Sequence, residues 1–500
     1  MGEEKARPVK TPRNKSDKQK LEPLVVKTAI VLVIGGLAPL FDSTMVNVAL
    51  HTIALDLGAS ISTVQWAATG YVLAMGLVIP ISGWATRRFG CKRVYVFSLA
   101  VFLLGSVLSM LSWNVESMIV FRVIQGVGAG FLMPVLQTEL VQVAGGKNLG
   151  RVMSIISIPS LLGPILGPVL GGFIVDGLGW RAIFWINIPI CLVSIPLALW
   201  GLPKDKLSDS KARFDLIGVL MLSPAFALLI YGITQIAGNG GLGSAAVLVP
   251  LILGVVLLAG YVVYALRAKG EPALNVRLFR SVNFSASNIL LILCGIVTNG
   301  AMLMLPLYYQ GVQGMSAMYA GLWLLPQGIG MLLTRSWAGK TADRNGSRNI
   351  VLMSLAAIAL GTLPFAFAGT STNLILLAFA LLVRGAGLGG LMVAIMASAY
   401  QGIPPQQVPH ASTAIRIFQT IGGAFGSAIL ATVAQQHLAG ATASSALNAA
   451  TPQLLAQSYN VSFWWAISFT VIAAIPTLFL AMKKKEHKDQ VQQEQSQEAV

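Results

Sequence analysis

GWATRRFGCKR, residues 83–93, closes a long apolar stretch and returns 256 residues later as GKTADRNGSR, residues 339–348. Both fit G-x-x-x-x-R-x-G, with Gly83, Arg88 and Gly90 in the first copy and Gly339, Arg344 and Gly346 in the second. A charged turn repeated at this distance between apolar runs signals a duplicated chain. Outward from it the match continues. GVGAG from Gly126 pairs with GAGLG from Gly385, and Gly163 and Gly167 pair with Gly422 and Gly426, each 259 residues apart.

Composition sets the medium in which the copies fold. The 500 residues are 55% hydrophobic and only 10% charged, with a mean hydropathy of +0.74, far too apolar for a water-soluble chain of this length. Apolar runs of roughly 20 residues, enough to cross about 30 Å of hydrocarbon as helix, number fourteen in this reading. The expected fold is an all-α integral membrane protein. Helices 1–6 (residues 27–201) and 9–14 (residues 284–481) form two parallel six-helix bundles, and a linker at 202–283 carries two extra helices. A basic tail at 1–26 and a polar tail at 482–500 lie outside the membrane and are expected to be disordered. Parallel halves of this kind belong to transporters, with the working site between them near mid-membrane.

The 34 Lys and Arg fall almost entirely in alternate segments between the spans, which puts those segments and both termini in the cytoplasm of a cell membrane. The net charge of +16 is then chiefly a topology signal with some attraction to anionic lipid, and no nucleic-acid partner is implied. Cys91, Cys191 and Cys294 are far apart and lack metal-ligand spacing. The G-x-G-x-x-G match from Gly385 to Gly390 lies inside an apolar span rather than after a strand. No cofactor, metal site or catalytic cluster is expected, so the chain is not read as an enzyme, and energy must come from an ion gradient.

Six further stretches carry a family resemblance: DSTMVNVAL in helix 1, VQWAATGYVLA in helix 2, FRVIQGVGAG in helix 4, GPILGPVLGG in helix 5, and WRAIFWINIP with RFDLIG around helix 6. In this order they resemble the major facilitator superfamily, specifically its fourteen-helix drug:proton antiporters of the EmrB/QacA type. Two positions depart from that pattern. His51 stands where the helix-1 motif usually ends in Pro, and Arg87 replaces the usual Asp of the loop motif, which Asp343 keeps in the second copy.

Asp42 lies inside the first span, where an ionisable group is costly enough to imply a function. Counted along the helices, it sits about 22 Å from Lys27, and Arg122 about 9 Å into helix 4 from the other surface, so the two share a depth. The resemblance implies that helices 1 and 4 meet at the central cavity. Burial and a neighbouring guanidinium act on a carboxyl's proton affinity in opposite senses. Asp42 is therefore expected to carry the proton and Arg122 to drive it off, the alternative being a static ion pair. A proton entering down about 100 mV supplies roughly 2.3 kcal/mol and each pH unit about 1.4 kcal/mol, enough for an outward gradient of a few hundredfold.

GPILGPVLGG places Gly163, Gly167 and Gly171 on one helix face beside Pro164, Pro168 and Gly172, a surface that another backbone can approach closely. The resemblance assigns it as the antiporter motif, a seal between halves. Gly83, Arg88, Gly90, Glu139, Gly339, Asp343, Arg344 and Gly346 are candidates for a cytoplasmic gate, with Arg88, Lys92 and Arg93 forming a latch with Glu139, the alternative being that these basic residues only set topology. Candidate lining of a substrate cavity is Asn47, Gln65, Trp66 and Tyr71 from the first half, and Asn299, Met302, Met304, Trp323, Gln327 and Arg384 from the second. Methionine and aromatic side chains suit a cavity that repacks around varied amphiphiles. Buried arginines outnumber buried carboxylates, which predicts preference for neutral, zwitterionic or anionic compounds over dications, with Arg384 lining the path, the alternative being that Arg384 is structural and hydrogen-bonds carbonyls of a neighbouring helix. The expected function is proton-coupled export of hydrophobic or amphiphilic small molecules, including drugs, by a monomer, with the need for accessory export proteins left open. The alternatives are export of one endogenous metabolite or lipid, or a transporter-like sensor.

Overall fold

The computed structural model describes residues 22–59, 61–145, 148–205, 214–236, 243–268, 272–315, 317–444 and 451–480. Both tails and most of the loop after residue 205 lie outside them, and so do the side chains of Asn47, His51, Gln65, Pro164 and Pro168. The described chain is helical throughout. The first half comprises α1 (Pro23–Asp56), α2 (Ile61–Phe89), α3 (Cys91–Met110), α4 (Val115–Val143), α5 (Leu149–Leu178), and the pair α6 (Arg181–Trp185) and α7 (Asn187–Gly201). Between the halves come α8 (Leu216–Thr234) and α9 (Ala245–Arg267). The second half comprises α10 (Val282–Gly311), the pair α11 (Ala317–Trp323) and α12 (Leu325–Asn345), α13 (Arg348–Thr362), α14 (Leu374–Tyr400), α15 (Val408–Ser444), and the pair α16 (Pro452–Ile472) and α17 (Ala474–Thr477). Among the described residues, twelve segments are long and apolar enough to cross a membrane.

Each half repeats one packing scheme, and small residues set it. On α4, Gly126 and Gly130 lie against the backbone of α2 at Tyr71 and Met75; on α14, Gly385 and Gly389 lie against α12 at Gln327 and Met331. Gly128 of α4 meets Phe102 of α3 as Gly387 of α14 meets Ile358 of α13. Gly163 and Gly167 of α5 face Leu40 and Thr44 of α1, as Gly422 and Gly426 of α15 face Ile292 and Ile296 of α10. Without a hydrophobic drive between helices in lipid, such close backbone approach supplies the association energy. The repeated turn closes identically in both copies. Gly90 and Gly346 take φ of 89° and 84°, in the region that only glycine enters without strain.

The fifth helix of each half crosses to the other. α5 packs on α11, α12 and α14, and α15 packs on α2 and α4. The inserted α8 lies against α2 and α15 at the edge of this seam, and α9 lies outside α8 with most of its side chains exposed. α1 continues past the expected end of its apolar run at residue 50 to Asp56, because its last turn is tied down. Asp56 accepts from Trp180 Nε1 at 2.9 Å and from Arg181 Nη1 at 2.7 Å, and Arg181 Nη2 donates to the Ser112 carbonyl at 3.1 Å. Those donors hold the half-exposed Asp56 carboxyl below its ordinary pKa.

Candidate functional site

Asp42 lies three residues beyond Pro39, inside α1 and fully buried. Three N–H donors converge on its carboxylate. Arg122 Nη1 donates to Oδ2 in a short charge-assisted contact, and Gln125 Nε2 and Asn187 Nδ2 each donate to Oδ1 at 2.9 Å. Ser106 Oγ accepts from the same two amides at 2.7 and 3.2 Å. The guanidinium is itself fixed: Nη1 also donates to Gln125 Oε1 at 2.6 Å, Nε donates to the Ala67 carbonyl at 3.4 Å, and the ring of Tyr71 lies under it at 4.2 Å. The cluster joins α1, α2, α3, α4 and α7, and all its members are buried. Removing one partner of such a buried pair leaves an uncompensated charge, at about 3–5 kcal/mol.

The fold brings Asp42 and Arg122 together. Gln125, Asn187 and Ser106 were missed. Gln125 lies one helical turn after Arg122 inside FRVIQGVGAG, and Asn187 is the polar residue of WRAIFWINIP; that spacing was the available signal.

The other candidates divide. Trp66 is no cavity wall: it is exposed and stacks on Tyr231 of α8, ring centroids 5.9 Å apart. Tyr71 supports Arg122 from below and lies within electrostatic reach of Arg416 on α15. Met304 is core, packed with Tyr308, Tyr309 and Phe365, and Trp323 leans on the same cluster. Arg384 is fully buried and turned into its own half, donating to Gln327 Oε1, to Thr362 Oγ1 at 3.2 Å and to the Val297 carbonyl at 3.2 Å. It ties α14 to α12, α13 and α10, which corrects its reading, and that of Gln327, as path lining. Asn299 remains exposed beside Gly423 of α15, and Met302 is half-buried.

The expected latch is also corrected. Lys92 Nζ donates to the Leu199 and Leu202 carbonyls at the end of α7 (2.6 and 3.3 Å), Arg93 lies 4.0 Å from Asp205, Arg88 and Arg344 are exposed, and Glu139 is buried beside Cys91 in its own half. Asp205 takes backbone N–H bonds from Lys92 and Arg93 at the start of α3, so these charges serve helix ends. The halves touch by other groups at this basic end. Gly83 lies against Thr413 and Pro409 of α15, with Ser82 Oγ 3.2 Å from Thr413 Oγ1. Asp343 Oδ2 accepts from the Arg151 backbone N–H at 3.3 Å. The glycine face of GPILGPVLGG is also relocated. Gly163, Gly167 and Gly171 meet Leu40, Thr44 and Met45 of α1, while Gly172 has open space; the motif binds α5 inside its own half, and other faces of α5 meet the second half.

The sequence model of the Major Facilitator Superfamily matches residues 32–427. This chain belongs to the Major Facilitator Superfamily. It is 37% identical over 427 residues to a protein of Mycobacterium tuberculosis named multidrug resistance protein B homolog, covering 85% of this chain and 79% of that one. It is 28% identical over 456 residues to the riboflavin transporter RibZ of Clostridioides difficile, covering 91% and 97% of the two chains. It is 25% identical over 486 residues to the lincomycin resistance protein LmrB of Bacillus subtilis, covering 96% and 100%. A double-tryptophan variant of XylE shares the fold, with a TM-score of 0.65 at 17% identity over 92% of this chain and 97% of that one. As a facilitator, the chain is a multi-pass membrane transporter of small molecules and not an enzyme.

Proposed function

We propose that this facilitator is a proton-coupled antiporter that exports hydrophobic or amphiphilic compounds by alternating access. The observation that carries the reading is a carboxylate, Asp42, buried in an apolar bundle and wired by hydrogen bonds to four helices besides its own, by way of Arg122 and Asn187. An intramembrane acid with a guanidinium partner is the simplest device for taking up and releasing a proton as the cavity changes sides. Asn187 and Gln125 keep the carboxylate hydrogen-bonded while the proton is absent. Multidrug and lincomycin resistance in the names of relatives supports export of varied amphiphiles, whereas the riboflavin transporter favours a dedicated metabolite exporter as the second reading.

The same proposal includes fourteen membrane crossings. The two beyond the twelve are α5, itself an apolar helix, and the broken α11–α12, which packs on α5 at the seam and so needs less apolar surface. The basic end, with Arg88, Lys92, Arg93 and Arg344, then lies in the cytoplasm together with both termini.

Reconstituted protein under an imposed pH gradient provides the test. Asp42→Asn keeps the shape and loses the titration, so energised efflux should fall at least about a hundredfold, the scale on which a positioned proton donor acts, with insertion unchanged. Export by the variant at the wild-type rate overturns the assignment.

A further inference from the structure

Of the three arginines inside the second half, Arg122's counterpart Arg384 is buried and fully engaged, and Arg416 is half-buried opposite Tyr71. Arg335 is different. Its side chain is 3% exposed, yet Nε and Nη1 have no hydrogen-bond partner among the described residues. A guanidinium is the group a membrane protein can least leave bare, because its donors lose water without replacement.

The helix face explains where it points. Met331, Thr334 and Ala338 of α12 meet Gly389 and Gly390 of α14. Arg335 lies next round, on the strip with the buried Gly328, Gly339 and Ala342. That strip leads on to Asp343, which reaches the start of α5, so Arg335 stands where the second half lies against the first. Among the described residues no carboxylate pairs with it. α11, α13 and α14 contain no acidic residue, α5 has only Asp176 near its far end, and Asp343 is about 12 Å further along α12 and already bonded to α5.

We propose that Arg335 receives the anionic group, a carboxylate or sulfonate, of the transported amphiphile at the α5–α12 boundary, a substrate class that rests on the export reading above. A guanidinium offers a planar fork matched to such a group. Its depth selects the source. Arg335 is ten residues from the end of α12 at Asn345, about 15 Å, close to the midplane of a bilayer whose hydrocarbon core is about 30 Å thick. A lipid headgroup stays at the surface, whereas a transported compound passes this level. The surrounding half, with Arg335, Arg384 and Arg416 against a single acid, Asp343, is positive there and disfavours dications.

The test is equilibrium binding to the full chain in nanodiscs without any gradient, with pyrenebutyrate, pyrenebutanamide and pyrenebutyl-trimethylammonium as matched fluorescent probes. Wild type should bind the carboxylate about tenfold tighter than the amide, one charge-assisted contact, and the ammonium weakest. Arg335→Gln should level the carboxylate and amide, and Arg335→Lys should keep part of the difference. Equal binding of the carboxylate and the amide by wild type, or a preference that survives in Arg335→Gln, overturns the proposal, and the wild-type comparison stands even where the Gln variant fails to fold. Repeating the titration in discs of anionic lipid should leave the preference unchanged; a severalfold loss there assigns the site to a lipid headgroup and overturns the substrate reading. Because no gradient is present, these outcomes are independent of whether Asp42 couples export to protons.

Discussion

At the scale of the residue, the Asp42 cluster separates charge from shape. The acid and the guanidinium are rare in spans, so each was visible as an anomaly. The neutral amides that complete the site, Gln125 and Asn187, give a weaker signal in the sequence, and their hydrogen bonds to Oδ1 establish them. The pair makes a pH prediction. Arg122→Ala takes the counter-charge from a buried acid, so the pH profile of exchange should change. Arg122→Lys should retain part of the function, since it keeps the charge and loses the fork. Measuring exchange against pH in reconstituted vesicles checks this, and an unchanged profile in the Ala variant separates the two residues.

Among the elements, α1 and α5 show what glycine spacing alone leaves open. Glycines at every fourth position predict close approach of another helix but do not say which one. A β-carbon at Gly167 would fall within 1.9 Å of Thr44 Oγ1, while Thr44 itself bonds to the Gly163 carbonyl at 3.2 Å. Gly167→Val should therefore force α1 from α5, costing about 1–3 kcal/mol as overpacking, and should displace the Asp42 end of α1. Thermal unfolding in detergent should shift down by several degrees and efflux should fall, whereas Gly172→Ala, with open space around it, should change neither. Trp66 failed as a cavity residue for a related reason: the inserted α8 covers that side of α2, and nothing in helix 2 alone announces a neighbour from 165 residues away.

Over the whole molecule the duplicated turn has become unequal. Asp343 places a carboxylate at the positive end of α5, whereas Arg87 occupies the matching position in the first half, within reach of His410 near the start of α15. The seam at α2–α15 thus rests on the packing of Gly83, Ser82 and Thr413, and the seam at α5–α12 also has a charge at a helix end, worth about 0.3–1 kcal/mol. Asp343→Asn should raise the population opened at the basic end by up to about fivefold, the equilibrium equivalent of that energy. Distances between spin labels at the exposed positions 88 and 344, measured with and without the substitution, read this directly; an unaltered distribution assigns Asp343 to local capping.

The sequence by itself determined the medium, the duplication and the two charged residues placed inside membrane spans. Hydropathy and the repeat are properties of the chain read in order, so Gly83 and Gly339, or Asp42 and Arg122, could be set against each other without coordinates. The partners of each group were decided by tertiary structure. Arg384 and Arg335 have the same chemistry and similar apolar surroundings in the sequence, yet one is bonded by Gln327, Thr362 and the Val297 carbonyl and the other has two bare donors. The difference lies in which neighbours each helix face meets, Arg384 on α14 and Arg335 on α12, fixed by which face the neighbouring glycines admit, and that is a property of helices already packed.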